Sequence, residues 1–215
     1  MAVIAKICGL KTAETVQAAI DGGAGLIGFN FYPRSPRAIT ASVARTLGQL
    51  VPAQVKKVGL FVDDDDARIG EVLSSCELDV LQLHGRETPE RVAEIRTRFA
   101  KPVIKAIPVS AAEDLAAAAG YEPVVDYLMF DAKPPKSMAG ALPGGNALCF
   151  DWTLLRGLRF AKPWLLAGGL TPENVAEAVR VTGAPMVDVS SGVEDRPGEK
   201  NPSKIKAFLD AVRHL

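Results

Sequence analysis

The feature that most constrains this chain is an alternation repeated along its whole length, in which a short apolar run is followed by a longer segment with helical spacing. The strand candidates are Val3–Ile7, Leu26–Phe31, Lys56–Val62, Val80–Leu83, Pro102–Ile107, Tyr127–Asp131, Trp164–Ala167 and Met186–Val189. They are mostly continuously apolar instead of alternating with polar residues, as expected of parallel strands covered on both faces. The segments between them carry helix signals. Thr12 can cap a helix over Thr12–Asp21, with Val16, Ala19 and Ile20 on one face and Gly22-Gly23 as its stop. Thr88-Pro89-Glu90 opens Pro89–Phe99, Thr171-Pro172-Glu173 opens Pro172–Val181, and Asn201-Pro202 opens a last helix striped by Ile205, Phe208, Leu209 and Val212.

Eight such units in 215 residues predict one α/β domain over residues 1–215, closed as a (β/α)8 TIM barrel, with an open doubly wound sheet as the alternative. No Pro/Ser-rich linker or compositional break divides it. The run Asp63–Asp66 reads as a solvated turn in which one Asp caps a helix.

Composition removes several function classes. Lys plus Arg equals Asp plus Glu, at 25 each, which argues against a nucleic-acid binder. No segment approaches the roughly 18 consecutive apolar residues of a membrane span, and no secretory leader is evident. Cys8, Cys76 and Cys149 form no disulfide framework or close metal-binding pair, and His84 and His214 are too few and too far apart for a metal cluster. The expectation is a cytoplasmic enzyme without metal or cofactor.

Barrel enzymes build their sites from the C-terminal ends of strands. Those positions here are Cys8, Asn30 with the Pro33–Arg37 loop, Asp63, His84-Gly85, Pro108, Asp131, Gly168-Gly169 and Ser190-Ser191-Gly192. The two glycines after strand 7 lie just before a helix cap, and Ser190, Ser191 and Gly192 follow strand 8. Either pair alone could simply make a tight turn. Together, at the strands where barrels commonly hold phosphate, they point to a phosphate site.

Cys8 is either a small buried apolar residue or a base. A free thiol titrates near about 8.5, so a modest depression would make it usable at neutrality. Asp131 is either a general acid at the apolar barrel mouth or a cap or salt-bridge partner, for instance of Lys133. About twenty residues separate Asp131 from the next helix start near Asp151, a length that suits a mobile cover. Arg37, in a proline-bounded loop, suits fork-like binding of a carboxylate. His84 either lines the pocket or packs as a hydrogen-bonded histidine. Asp188 joins Arg37 and His84 as a substrate-binding candidate, while Cys76 and Cys149 read as structural.

Lys6-Ile7-Cys8-Gly9-Leu10 resembles the opening signature of the phosphoribosylanthranilate isomerase family of tryptophan biosynthesis. The resemblance continues through Ser35-Pro36-Arg37, Gly59–Val62, Gln82–Gly85, Phe130–Lys133, Phe150-Asp151-Trp152, Leu166–Leu170 and Asp188–Glu194. It implies an Amadori rearrangement. Asp131 would protonate the furanose oxygen, Cys8 would take the proton from the sugar C2, and Arg37 would hold the anthranilate carboxylate. The phosphate would rest on Gly168-Gly169 and Ser190–Gly192. The substrate nitrogen would serve as electron sink, so no cofactor is expected. The partner would be a phosphosugar, and the protein a monomer or homodimer. One departure is Gly144-Gly145-Asn146-Ala147, where the family usually has Gly-Gly-Thr/Ser-Gly; it bears on how that loop closes.

Three rivals remain. The sister isomerase of histidine synthesis would carry an aspartate where Cys8 stands. An indole-forming synthase would offer a strand-end lysine, for which Lys105 is the candidate. A barrel that only binds phosphate ligands would need neither Cys8 nor Asp131.

Overall fold

The computed structural model describes residues 2–135, 137, 142, 144–146 and 148–215. Eight parallel strands close in sequence order: β1 (Ile4–Cys8), β2 (Leu26–Asn30), β3 (Lys56–Phe61), β4 (Val80–Leu83), β5 (Val103–Val109), β6 (Tyr127–Ala132), β7 (Trp164–Leu166) and β8 (Met186–Val189). Closure is made by β1 on β8, with Ile4 opposite Met186 and Ile7 opposite Val189. The barrel is therefore the observed architecture, and the open sheet is excluded.

Period-two alternation along each strand sorts side chains into two cores. Leu26, Val58, Val80, Ile104, Ala106, Met129, Leu165, Ala167 and Met186 fill the interior. Ile7, Ile27, Phe29, Phe61, Leu81, Leu83, Phe130 and Val187 point outward beneath the helices. Residues two further along an inward column thus reach the barrel mouth. Asp131 follows Met129 in this way, and His84 follows Gln82, which in turn follows Val80.

Helices α1 (Ala13–Gly22), α2 (Ala41–Gly48), α3 (Asp66–Ser75), α4 (Pro89–Phe99), α5 (Ala117–Tyr121), α6 (Val175–Thr182) and α7 (Pro202–Arg213) cover the strands. Thr12, Asp65 and Thr88 each accept a hydrogen bond from the backbone N–H three residues on, starting α1, α3 and α4. Asn201 accepts from Ser203 and Lys204 ahead of Pro202. Helix α7 packs on α1 and seals the chain ends together, with Phe208 and Leu209 buried. Such side chains contribute about 1.5–3 kcal/mol each. Gly22 leaves the room that Leu209 fills.

Two of the helical expectations change. Among the described residues the segment after β6 contains a 3-10 turn, Trp152–Leu155, and no α-helix; the turn ends ahead of Gly157, in the left-handed region at φ 75°. Helix α6 begins at Val175, not Pro172. Thr171 N–H donates to the Asn174 side chain at 2.8 Å, so Pro172–Asn174 form a turn ahead of the helix. Among the described residues no helix is long and apolar enough to cross a membrane.

Candidate active site

A cavity opens at the C-terminal ends of the strands. Cys8, Arg37, His84, Asp131, Gly168, Gly169, Asp188, Ser190 and Ser191 all line it. Gly192 does not. It sits one residue behind, where a Cβ would strike the Leu170 carbonyl, and so keeps the loops after β7 and β8 in contact.

Cys8 and Asp131 stand three strands apart around the barrel. The thiol is buried beside Gly28, where an added Cβ would lie 2.9 Å from its sulfur and 3.3 Å from the Lys6 ammonium. Lys6 is fully buried in the same inward column and bonds Asp188 Oδ1 at 2.7 Å. Burial pushes the Cys8 thiol up, Lys6 and Lys200 oppose that, and Asp188 adds to it; the net shift is upward. The expected depression is thus not found: removal from water outweighs the nearby cations. Lys6 itself is raised, because Asp188 and Cys8 together outweigh its own burial.

Asp131 accepts from the Ala132 N–H at Oδ1, 2.8 Å away, and pairs with His84 Nε2 at Oδ2, 3.0 Å away. Lys133, the partner weighed from sequence, bonds Asp114 instead at 2.6 Å. His84 is therefore both hydrogen-bonded and part of the cavity wall.

Arg37 lies across Gly9, whose φ of 80° and missing Cβ make room for the side chain. Its fork does not face an open space. Nε and Nη2 bond Glu194 at 2.7 and 2.8 Å, Nη2 also reaches the Gly145 carbonyl at 3.0 Å, and Nη1 has no acceptor among the described residues. Glu194 in turn bonds Lys200, which donates to the Ser190 carbonyl at 3.0 Å and hydroxyl at 3.2 Å. Arg37 and Lys200 hold the Glu194 carboxyl below its ordinary value although burial works against them.

Gly168 and Gly169 adopt φ of 85° and 66°, open to glycine at little cost. The N–H groups of Gly169 and Ser191 have no acceptor among the described residues. The helix cap expected right after the glycines is displaced by the turn before α6, while Ser191 opens a short 3-10 turn, Ser191–Val193, at the cavity wall. Asn174 braces the Gly169 carbonyl at 3.0 Å.

Gly144, Gly145, Asn146 and Leu148, from the expected cover, line the cavity. Lys136, Met138–Ala141, Pro143 and Ala147 of the expected cover lie outside the described residues. Cys76 is buried at the end of α3, whereas Cys149 is exposed and donates to the Gly169 carbonyl at 3.4 Å. Lys105 points out of the barrel to Glu87 at 2.7 Å and Gly85 at 2.8 Å, away from the cavity.

Sequence reasoning missed Lys6, Glu194, Lys200 and Gln82. The parity of β1 and β4 signals Lys6 and Gln82, since each lies two residues before a candidate. Nothing local signals Glu194 and Lys200, which reach the site through a short hairpin of β9 (Glu194–Arg196) and β10 (Glu199–Lys200).

Residues 5–211 match the family model described as N-(5'phosphoribosyl)anthranilate (PRA) isomerase. The chain is 54% identical over 213 residues to the N-(5'-phosphoribosyl)anthranilate isomerase of Parvibaculum lavamentivorans, covering 99% of each chain. It is 56% identical over 209 residues to that of Paracoccus denitrificans, covering 97% of this chain and 96% of the relative. Among solved structures, the Thermotoga maritima phosphoribosyl anthranilate isomerase superposes with a TM-score of 0.85 at 36% identity, covering 99% of this chain and 100% of that one. A phosphoribosyl anthranilate isomerase in complex with reduced 1-(o-carboxyphenylamino)-1-deoxyribulose 5-phosphate gives 0.83 at 35%, with the same coverage.

Proposed function

The chain belongs to the N-(5'-phosphoribosyl)anthranilate isomerase family, and from that premise we propose how its own residues perform the reaction. It is an isomerase of tryptophan biosynthesis, converting N-(5'-phosphoribosyl)anthranilate to 1-(2-carboxyphenylamino)-1-deoxyribulose 5-phosphate. The observation that carries the assignment of roles is the presence of Cys8 and Asp131 on the wall of one cavity, with free loop N–H groups beside them.

Asp131 gives its proton to the furanose oxygen as the bond from that oxygen to C1 breaks, and the nitrogen lone pair forms the iminium. Cys8, as thiolate, then takes the C2 proton, and the C2–H electrons flow through C1 toward nitrogen to give the enolamine. Tautomerisation moves a proton to C1 and releases one from the C2 hydroxyl, leaving the ketone. Burial favours the neutral thiol, so the form that acts is the thiolate fraction that has given its proton to solvent before substrate binds, with the Lys6 ammonium beside it. The substrate nitrogen is the electron sink, so the scheme calls on no cofactor.

The phosphate is assigned to Gly168, Gly169, Ser190 and Ser191, with Gly192 keeping the two loops together behind them and Lys200 adding positive charge behind Ser190. Asp188, whose Oδ2 takes no hydrogen bond among the described residues, is assigned a sugar hydroxyl. Arg37 is assigned the anthranilate carboxylate through Nη1, because its fork is held by Glu194. Residues 1–215 read as one domain, since β1 closes on β8 and α7 on α1. The Thermotoga maritima relative is described as dimeric, and this chain is read as a monomer or homodimer.

The test follows loss of anthranilate-type fluorescence on freshly generated substrate. Cys8→Ala and Asp131→Asn should each lose about 10²–10⁴-fold in turnover with substrate affinity kept within about tenfold. Either variant retaining most of its turnover would remove that residue's role.

A further inference from the structure

Gln82 is fully buried, on the floor of the cavity that Cys8 and Asp131 line, yet its Oε1 has no hydrogen-bond partner among the described residues. Its Nε2 lies 2.8 Å from His84 Nδ1 and 3.5 Å from the Met129 sulfur. The two amide orientations are not equivalent. With nitrogen toward His84, both N–H groups meet acceptors and one carbonyl is left alone. Reversed, the oxygen would accept from a hydrogen on His84 Nδ1 and face a thioether with none to give. Both N–H groups would then be buried without acceptors, against a single unpartnered carbonyl in the first orientation. The first orientation wins, so His84 Nδ1 is an acceptor. In the neutral ring the hydrogen then sits on Nε2, pointing at Asp131 Oδ2 at 3.0 Å.

We propose that Gln82 is a positioning residue for the general acid, fixing the His84 tautomer so that Asp131 spends its proton on substrate and not on His84. This rests on Asp131 being the acid. Held as an Nε2–H donor, His84 reserves Oδ2 as an acceptor and leaves the acidic proton to Oδ1. When that proton passes to the ring oxygen, the carboxylate left behind already accepts from the Ala132 N–H at Oδ1 and from the His84 N–H at Oδ2. The opposite tautomer would present a lone pair to Oδ2, where it would draw the acidic proton away from substrate and oppose the carboxylate once formed. The unpartnered Gln82 carbonyl is the cost of this orientation.

The chain has only two histidines, so ¹⁵N long-range correlation spectra of the whole protein resolve them, with His214→Asn assigning the second. Neutral His84 should carry its hydrogen on Nε2. In Gln82→Glu, read at a pH where the new carboxyl is ionised and offers only acceptor oxygens, the hydrogen should move to Nδ1. In Gln82→Met, where only Asp131 biases the ring, the preference for Nε2 should weaken. Both variants should lose about tenfold or more in kcat with KM within about threefold. A native His84 protonated on Nδ1 would overturn the proposal, as would kcat within about twofold of native in both variants. The native spectrum needs no variant to fold. Failure of the acid reading shows separately, as turnover surviving in Asp131→Asn with the His84 tautomer unchanged.

Discussion

Glu194 closes on the guanidinium of Arg37 with two parallel hydrogen bonds, Nε to Oε1 at 2.7 Å and Nη2 to Oε2 at 2.8 Å. Both side chains are buried, as is that of Lys200, the second cation on the same carboxylate. Glu194→Ala would strand two buried cations, and losses of this kind run to about 3–5 kcal/mol. Urea unfolding should show that drop, and Glu194→Gln, which keeps the shape, should show less. The sign with pH follows from the lowered Glu194 carboxyl. Its contribution is complete above the ordinary glutamate value of about 4.3 and is lost as pH falls through its lower folded value. A native protein whose acid unfolding midpoint is unchanged in Glu194→Gln would contradict this.

Cys8 should behave as a shielded thiol. With its titration raised by burial, its alkylation by iodoacetamide should keep climbing with pH past the free-thiol value of about 8.5 and show no plateau near neutrality. Cys76 is buried and raised as well, and exposed Cys149 is raised by its partial burial, so the assay is read in a Cys76→Ala/Cys149→Ala background. A neutral plateau would mean that Lys6 and Lys200 overcome the desolvation.

Gly192→Ala should weaken the phosphate site. The new methyl would run into the Leu170 carbonyl, forcing apart the loops that carry Gly169 and Ser191. Overpacking costs typically about 1–3 kcal/mol, so the variant should fold yet bind inorganic phosphate more weakly, with KM raised more than kcat is lowered. Unchanged phosphate affinity by calorimetry would take Gly192 out of the site.

The barrel was legible because its signal is redundant: continuous apolar runs, Thr and Asn caps and Pro at N1 repeat along the chain, so the loss of a full helix after β6 does not blur the pattern. Strand ends located Cys8 and Asp131 for the same reason, since parity and the barrel rule point at single positions. What stayed hidden depends on side-chain direction and on distant pairing. The charge of Arg37 is visible in sequence, but its fork is turned to a residue 157 positions away. The thiol of Cys8 stands beside the buried Lys6 ammonium, which suggests depression, and only the depth of burial reverses the sign.

Lys105 gives the sharpest contrast between position in sequence and position in space. It lies in a strand, as the catalytic lysine of an indole-forming barrel would, but shares the outward parity of Val103 and Ile107. Its ammonium bonds Glu87 and the Gly85 carbonyl, beneath the Tyr121 ring at 5.7 Å. Lys105→Met should therefore cost stability, about 3–5 kcal/mol for a broken buried pair, while kcat stays near native in the folded protein. Adding Glu87→Gln should recover part of that stability, because the stranded carboxylate goes with its partner. Chemical unfolding and steady-state turnover on the same samples separate the two effects. A large loss of kcat in a stably folded Lys105→Met would bring lysine chemistry back, against the direction in which this side chain points.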